Sequence, residues 1–386
     1  MTGTSMTIAE LDCLQSPVMI RDRAHQLFEL GLADELQHFQ VHFDRLDRVV
    51  DYVIDLSLQQ YDTVSAIPFH SRWRHFPTDR IYALFADLNP IDRAKAKFEL
   101  VIPSVLLDAG AGADWSYTDA TGKIWYRSEG LAIASLDLFV AGTFSRSRCP
   151  QTDAIGLQQL SLAQLQQALQ VRDDNPLLGL VGRWQLLQKL GQQGTCHRLG
   201  DLVDLILAER GDRIAADRLF HYVLDQMGHL WQAPGDVGLY GDVGFHRAIG
   251  WMPFHKLAQW LTYSLMEPLQ ELGMTIDHLD RLTGLAEYRN GGLCLDLGLL
   301  QLKHPEVAQS VHPITAELIV EWRGLTIAAL DHIADRMREK LACTAAELPL
   351  VKILQGGTWS AGRAIAQTLR PQATPPLQIL SDGSFF

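Results

Sequence analysis

The chain has 386 residues, 47% apolar and 20% charged, with a formal net charge of -12. Those proportions suit a globular protein able to bury one large core or two smaller ones. The acidic balance argues against nucleic acid as a partner, because a polyanion-binding surface needs concentrated cations to release counterions.

Asp12, Asp22 and Glu29 interrupt the early apolar positions, which is unlike a secretory signal. No apolar run approaches the roughly 20 residues that span a bilayer, so no membrane association is expected. Residues 1–60 read as a helical lead-in. Within them Leu32, Leu36, Phe39, Phe43, Leu46, Val50 and Val53 recur at steps of three and four, which predicts one long amphipathic helix. Strand-like runs follow near 100–107 and 123–127, then helices near 157–170, 178–190, 198–210, 213–230, 255–272 and 315–341. A strand near 350–354, a helix over 360–369 and a strand over 377–380 complete the order. Loops are expected at 108–122, 142–156, 232–253 and 354–360, none long or biased enough to be a linker. The reading is a mainly α protein with a few short β-strands, one compact unit over 1–386 whose body, 61–386, carries the site. Cys13, Cys149, Cys196, Cys294 and Cys343 are odd in number and show no C-x-x-C spacing, so free thiols and a cytoplasmic location are expected.

Residues 104–137 hold the densest mixture of chemistry. An apolar run ends at Asp108, glycines at 110 and 112 permit sharp turns, and Trp115, Tyr117, Trp125 and Tyr126 alternate with Asp114, Lys123, Arg127 and Glu129. Such mixing reads as a pocket wall. The Gly-x-Gly after an apolar run suggests a dinucleotide or S-adenosylmethionine site, but no helix follows the glycines at once, and that context rejects it.

Other motifs carry two readings each. Arg72-Trp-Arg-His-Phe76 suits either bidentate capture of an anion or a surface cation stacked on Trp73. Lys256, Trp260, Tyr263 and Glu267 form one stripe of a helix beside His255, as a substrate wall or as a salt bridge with aromatic cover. Glu287 and Arg289 sit beside an Asn-Gly turn from which side chains can be aimed at a ligand. Arg323 shares an apolar face with Ile319, Thr326 and Leu330, so it needs a protein carboxylate or an anionic ligand. In Gln355-Gly-Gly-Thr-Trp-Ser-Ala-Gly-Arg363 the small residues offer amides to an anion ahead of a helix, or Thr358 or Ser360 is a plain N-cap. Neither H-E-x-x-H nor G-x-S-x-G occurs, so neither a zinc centre nor a serine hydrolase is expected.

Together, Arg72-Trp-Arg-His-Phe, Leu106-Leu-Asp-Ala-Gly-Ala-Gly-Ala-Asp-Trp115, Arg127-Ser-Glu-Gly-Leu-Ala, Asn175-Pro-Leu-Leu-Gly-Leu-Val-Gly-Arg183, Pro253-Phe-His-Lys-Leu, Glu287-Tyr-Arg-Asn-Gly-Gly, Glu321-Trp-Arg and Gly-Gly-Thr-Trp-Ser-Ala-Gly-Arg resemble the uracil catabolism protein 4 family over nearly the whole chain. More loosely, Asp114-Trp115, Gly122-Lys123 and Tyr126 with the following helix are similar to queuosine salvage nucleotide N-glycosidases, which implies a helical, DNA-glycosylase-like body. The resemblance implies a pathway that opens a ribosylated pyrimidine and must later free urea by cutting an N-glycosidic bond. The expected activity is therefore an N-glycosyl hydrolase acting on a ribosyl or phosphoribosyl small molecule, without organic cofactor or metal. Asp108, Asp114, Glu129 and Glu287 are the candidate catalytic carboxylates. Arg74, Lys256, Arg289, Arg323, Gly356 and Gly357 are candidates for holding a phosphate, and Trp115 and Trp359 for stacking on the urea or base-like group. A non-catalytic partner that binds the intermediate and an amidohydrolase acting on the ureido group are the alternatives.

Overall fold

The structure is a computed structural model that describes residues 13–193, 197–231, 241–380 and Gly383. It is mainly helical, and its described strands form five separate two-stranded pairs. The chain divides into two compact units. Unit 1 takes the described residues of Met1–His70, Gln232–Gln259 and His278–Leu380, and unit 2 those of Ser71–Trp231, Trp260–Asp277 and Ser381–Phe386.

Unit 1 is built on the helix Glu317–Leu341, in which every residue from Leu318 to Leu330 is buried. All-round burial calls for an apolar sequence around the whole circumference. Its charged members are accordingly satisfied internally. Glu321 accepts from the amides of Gln37 and His38 at 3.2 and 3.0 Å, and lies 3.2 Å from His246 Nε2. The helices Pro17–Leu32 and Leu46–Gln60 pack against Glu317–Leu341. The single helix expected through 32–53 is thus two helices. The first ends at Leu32, Asp34 turns with φ 60°, and Phe39–Val41 forms a strand paired antiparallel to Leu300–Leu302. Leu36 and Phe39 are core residues from this extended stretch, while Phe43 is exposed. Val243–His246 pairs antiparallel with Gly250–Pro253, and Val311–Pro313 pairs parallel with Gln378–Leu380, the expected C-terminal strand.

The expected strand at 350–354 is also corrected. Leu350–Ile353 is helical and runs through the π-helical turn Leu354–Thr358 into the helix Trp359–Leu369. Gly356 and Gly357 lie inside this continuous segment, where added Cβ atoms would come within 2.8 Å of Ile67 and 2.5 Å of Val53. The glycines serve close packing. No new helix begins at their amides, and neither Thr358 nor Ser360 acts as a side-chain N-cap there.

Unit 2 is centred on the helix Pro90–Leu106, where a strand was expected at 100–107. Asn89 caps it by accepting from Asp92 N at 3.0 Å, proline occupies the first position, and residues Phe98–Leu106 are all buried. The expected helix at 157–170 is two, Ala154–Gln159 and Leu162–Ala168, separated by the Ser161/Gln164 capping box. The expected strand near 123–127 is Ile124–Tyr126, paired antiparallel with Ser116–Thr118. Asp119 closes this hairpin, accepting from Thr121 N, Lys123 N and the Trp125 indole at 2.9, 3.1 and 2.7 Å. Arg213–Ala215 and Thr275–Asp277 make a parallel pair. Cys13, Cys149, Cys294 and Cys343 are free thiols, and Cys196 lies outside the described residues.

Candidate functional site

In unit 2, the helix Pro90–Leu106 delivers Asp108 just beyond its C-terminus. Partial negative charge collects there, so a carboxylate needs a cation. Arg72, fully buried at the start of the 3-10 turn Arg72–His75, supplies it: Nη1 lies 2.8 Å from Asp108 Oδ2. The guanidinium also donates from Nε to Ser104 Oγ at 2.8 Å, and from Nη1 to Ser128 O and Oγ at 3.1 and 3.0 Å. Burial pushes the Arg72 pKa down, opposed by the charges of Asp108 and Glu129. An arginine stays protonated through such a shift.

Ser128 sits in the first turn of the helix Arg127–Val140. Its hydroxyl donates to Asp108, 2.7 and 2.9 Å from the two oxygens, and lies 3.1 Å from His75 Nδ1. Arg127 holds φ 51°, an uncommon conformation for a non-glycine residue, immediately before Ser128 and Glu129. The loop carrying Asp108 is fixed from below by Arg183, fully buried. Its guanidinium donates to the carbonyls of Leu107, Ala109 and Gly110 at 2.9, 2.8 and 2.9 Å, and to that of Leu178. The product is an oriented carboxylate with a hydroxyl, an imidazole and a second carboxylate field around one buried cation. Such a group can stabilise positive charge that develops on a substrate, while the imidazole can exchange a proton.

Other expected members of unit 2 stand elsewhere. Asp114 is exposed in the loop before the hairpin. Trp115 is fully buried and donates its indole N–H to Leu169 O at 3.0 Å, so it is a core side chain and not a stacking surface. Arg74 is paired with Glu267, which also accepts from the Ser71 hydroxyl. Arg74 therefore already has an anion, and burial holds the Glu267 pKa above its ordinary value. Of the expected cations Arg74 is thus spent on Glu267, while Arg72, His75 and Ser128, none of them expected, surround Asp108. The signal was available in Arg72-Trp-Arg-His-Phe, but which arginine turns inward depends on the 3-10 geometry.

In unit 1, Glu287 is the N-cap of the helix Tyr288–Asp296. It accepts from the amides of Arg289 at 2.8 Å and Asn290 at 2.6 Å, and burial raises its pKa. Arg289 is 6% exposed, 5.2 Å from the Tyr288 ring centroid and 5.8 Å from that of Trp359. Arg323 is neutralised within the protein by a two-pronged pair with Asp242, Nη1 to Oδ1 at 2.8 Å and Nη2 to Oδ2. This is the internal ion pair and not a vacant ligand site. Lys256 opens the helix Lys256–Glu271, donating its amide to Asp242 Oδ2 at 3.3 Å, and its charge acts on Glu287. His255 is buried, with Nε2 2.8 Å from Leu14 O.

Among the described residues no group of three or more His, Cys, Asp and Glu side chains is arranged to hold a metal, and no helix is long and apolar enough to cross a membrane.

Comparison with known proteins covers almost the full length. The family model described as a protein of unknown function, DUF1688, matches residues 13–386. The chain is 35% identical over 401 residues to "Protein urg3" of Schizosaccharomyces pombe (strain 972 / ATCC 24843), covering 98% of this chain and 99% of that one. It is 33% identical over 429 residues to "Uracil catabolism protein 4" of Lachancea kluyveri, covering 95% of this chain and 97% of that one. By profile and by identity the chain belongs to the uracil catabolism protein 4 family, DUF1688.

Proposed function

We propose that the protein acts in uracil breakdown as an N-glycosyl hydrolase, releasing urea from a ribosyl-urea or phosphoribosyl-urea intermediate. The place in uracil breakdown is carried over from the Lachancea kluyveri relative's name. The observation that supports the chemistry is Asp108 held between buried Arg72 and the Ser128 hydroxyl, with His75 3.1 Å from that hydroxyl. In this reading the bond between the anomeric carbon and the urea nitrogen breaks, and its electron pair leaves with urea. Water adds to the anomeric carbon, one of its protons passing to the leaving nitrogen, so ribosyl-urea and water yield ribose and urea. Asp108 stabilises the oxocarbenium-like transition state, and Glu129 or His75 carries the proton.

The test is purified protein with ribosyl-urea, phosphorylated and unphosphorylated, assayed for urea and for ammonia. Urea release that Asp108→Asn reduces by about two orders of magnitude or more supports the reading. Ammonia in place of urea would point to attack on the ureido group, and binding without turnover to a carrier; either refutes hydrolysis at the glycosidic bond. Asp108→Asn also removes the counter-charge of a fully buried arginine, so its folded fraction must be measured alongside. Glu129→Gln offers a second variant that leaves the Arg72–Asp108 pair in place.

A further inference from the structure

The buried arginines of this protein divide into two kinds. Arg72 and Arg323 meet carboxylates and Arg183 meets a set of carbonyls. Arg289 does neither. It is as buried as they are in kind, 6% exposed, yet no described carboxylate pairs with it and its Nε–H is enclosed with no acceptor. The carboxylate next to it in sequence, Glu287, has both oxygens committed to the amides of Arg289 and Asn290. Its charge is felt at a distance, but it takes no hydrogen bond from the guanidinium.

Enclosing a guanidinium N–H without giving it an acceptor is unfavourable, so the buried Nε–H of an arginine that no described carboxylate neutralises calls for an explanation. The surroundings are built with care. Aromatic rings of Tyr288 and Trp359 flank the guanidinium, an arrangement that orients its plane. Trp359 directly follows the π-helical turn Leu354–Thr358, a rare element that is frequent at functional sites, and the Thr358 hydroxyl at its end is likewise buried without a partner. Gly362, one turn further, brings this helix against the Arg289 backbone so closely that an added Cβ would lie 2.1 Å from Arg289 O. The fold thus fixes both ends of the arrangement, backbone and ring.

We propose that Arg289, flanked by Trp359 and Tyr288, is the anchor of an oxyanion-binding site in unit 1. The ligand group has at least two oxygens in the plane of the guanidinium, as a phosphate monoester or a carboxylate has, and pairs with its fork of N–H donors. The proposal concerns this unit alone and does not depend on the glycosidic reading.

The experiment measures thermal stabilisation and tryptophan fluorescence of the full chain titrated with inorganic phosphate, ribose 5-phosphate and acetate in chloride buffer. At least one of the three raises the unfolding midpoint and changes the fluorescence, and the change is lost in Trp359→Phe. Arg289→Gln weakens that binding about tenfold or more, and Arg289→Lys, which keeps the charge but not the fork, weakens it less. Which anions respond separates a phosphate from a carboxylate site. No binding by any of the three overturns the proposal, as does equal affinity in the parent and Arg289→Gln. Should Arg289→Gln not fold, Arg289→Lys decides alone: unchanged affinity overturns the proposal and weakened affinity supports it.

Discussion

Replacing Asp242 by asparagine separates a ligand-binding Arg323 from one whose work is structural. Both partners are almost inaccessible, with side-chain exposures of 2% for Arg323 and 7% for Asp242. Arg323 also lies 3.9 Å from the Phe254 ring centroid, in apolar company. In Asp242→Asn the new amide keeps one oxygen for a guanidinium nitrogen, but turns its NH2 toward the other, setting donor against donor and leaving the positive charge without its counter-charge. Losing one member of a buried pair costs about 3–5 kcal/mol, and retention of one hydrogen bond puts this variant near the lower figure. With a urea m-value of about 3 kcal/mol/M, the unfolding midpoint falls by about 1 M. The assay is urea denaturation followed by circular dichroism, with the double variant Asp242→Leu/Arg323→Met as the partner measurement. Removing both charges is expected to recover most of the loss, since a buried pair and a well-packed apolar pair are often nearly equal in stability. A single variant whose midpoint moves by less than about 0.2 M would refute the ion-pair account and return Arg323 to the pool of ligand-binding cations.

Gly362→Ala forces a Cβ to within 2.1 Å of Arg289 O, a backbone atom that cannot swing aside, so it should destabilise by about 1–3 kcal/mol despite alanine's better helix propensity; a neutral midpoint in denaturation would show that the two helices slide apart freely. Burial pushes the Cys294 thiol up to about 12, so peptide-mapped alkylation of native protein should modify exposed Cys13 and spare Cys294 until the chain unfolds. Burial holds the His255 pKa below its ordinary 6.5, so its contribution to stability is complete above that pH and is lost as pH falls through the lower folded value. Urea midpoints measured downward from pH 6.5 should therefore decline more steeply in the parent than in His255→Asn, and parallel curves would contradict this.

The helical class was legible because most helices here have one apolar face, as in Ala216–Met227, where Leu219, Phe220, Val223 and Leu224 are buried. Pro90–Leu106 was not. Its second half, Phe98–Leu106, is buried on every side, so residues 100–106 read as an apolar run that periodicity cannot distinguish from an inner strand. Phe39–Val41 was hidden for another reason, since its partner Leu300–Leu302 lies far along the chain and a local pattern carries no trace of it. At the candidate site Asp108 stands out in the sequence because it closes an apolar run among glycines. The residues that orient it, Arg72, Ser128 and Arg183, come from three further segments, and their convergence is a property of tertiary packing. Arg323 illustrates the opposite limit: the sequence demanded an anion for it, and only the fold names Asp242.

The interleaving of the two units constrains the order in which this protein can be made. Unit 1 draws on residues up to Leu380, and its strand Val311–Pro313 pairs with Gln378–Leu380. Unit 2 needs Thr275–Asp277 to pair with Arg213–Ala215. On a nascent chain the helix Pro17–Leu32 therefore waits for its packing partner Glu317–Leu341, which is made about 300 residues later. Truncation from the C-terminus, or division of the reading frame between two genes, would strand half-built cores on both sides of the cut.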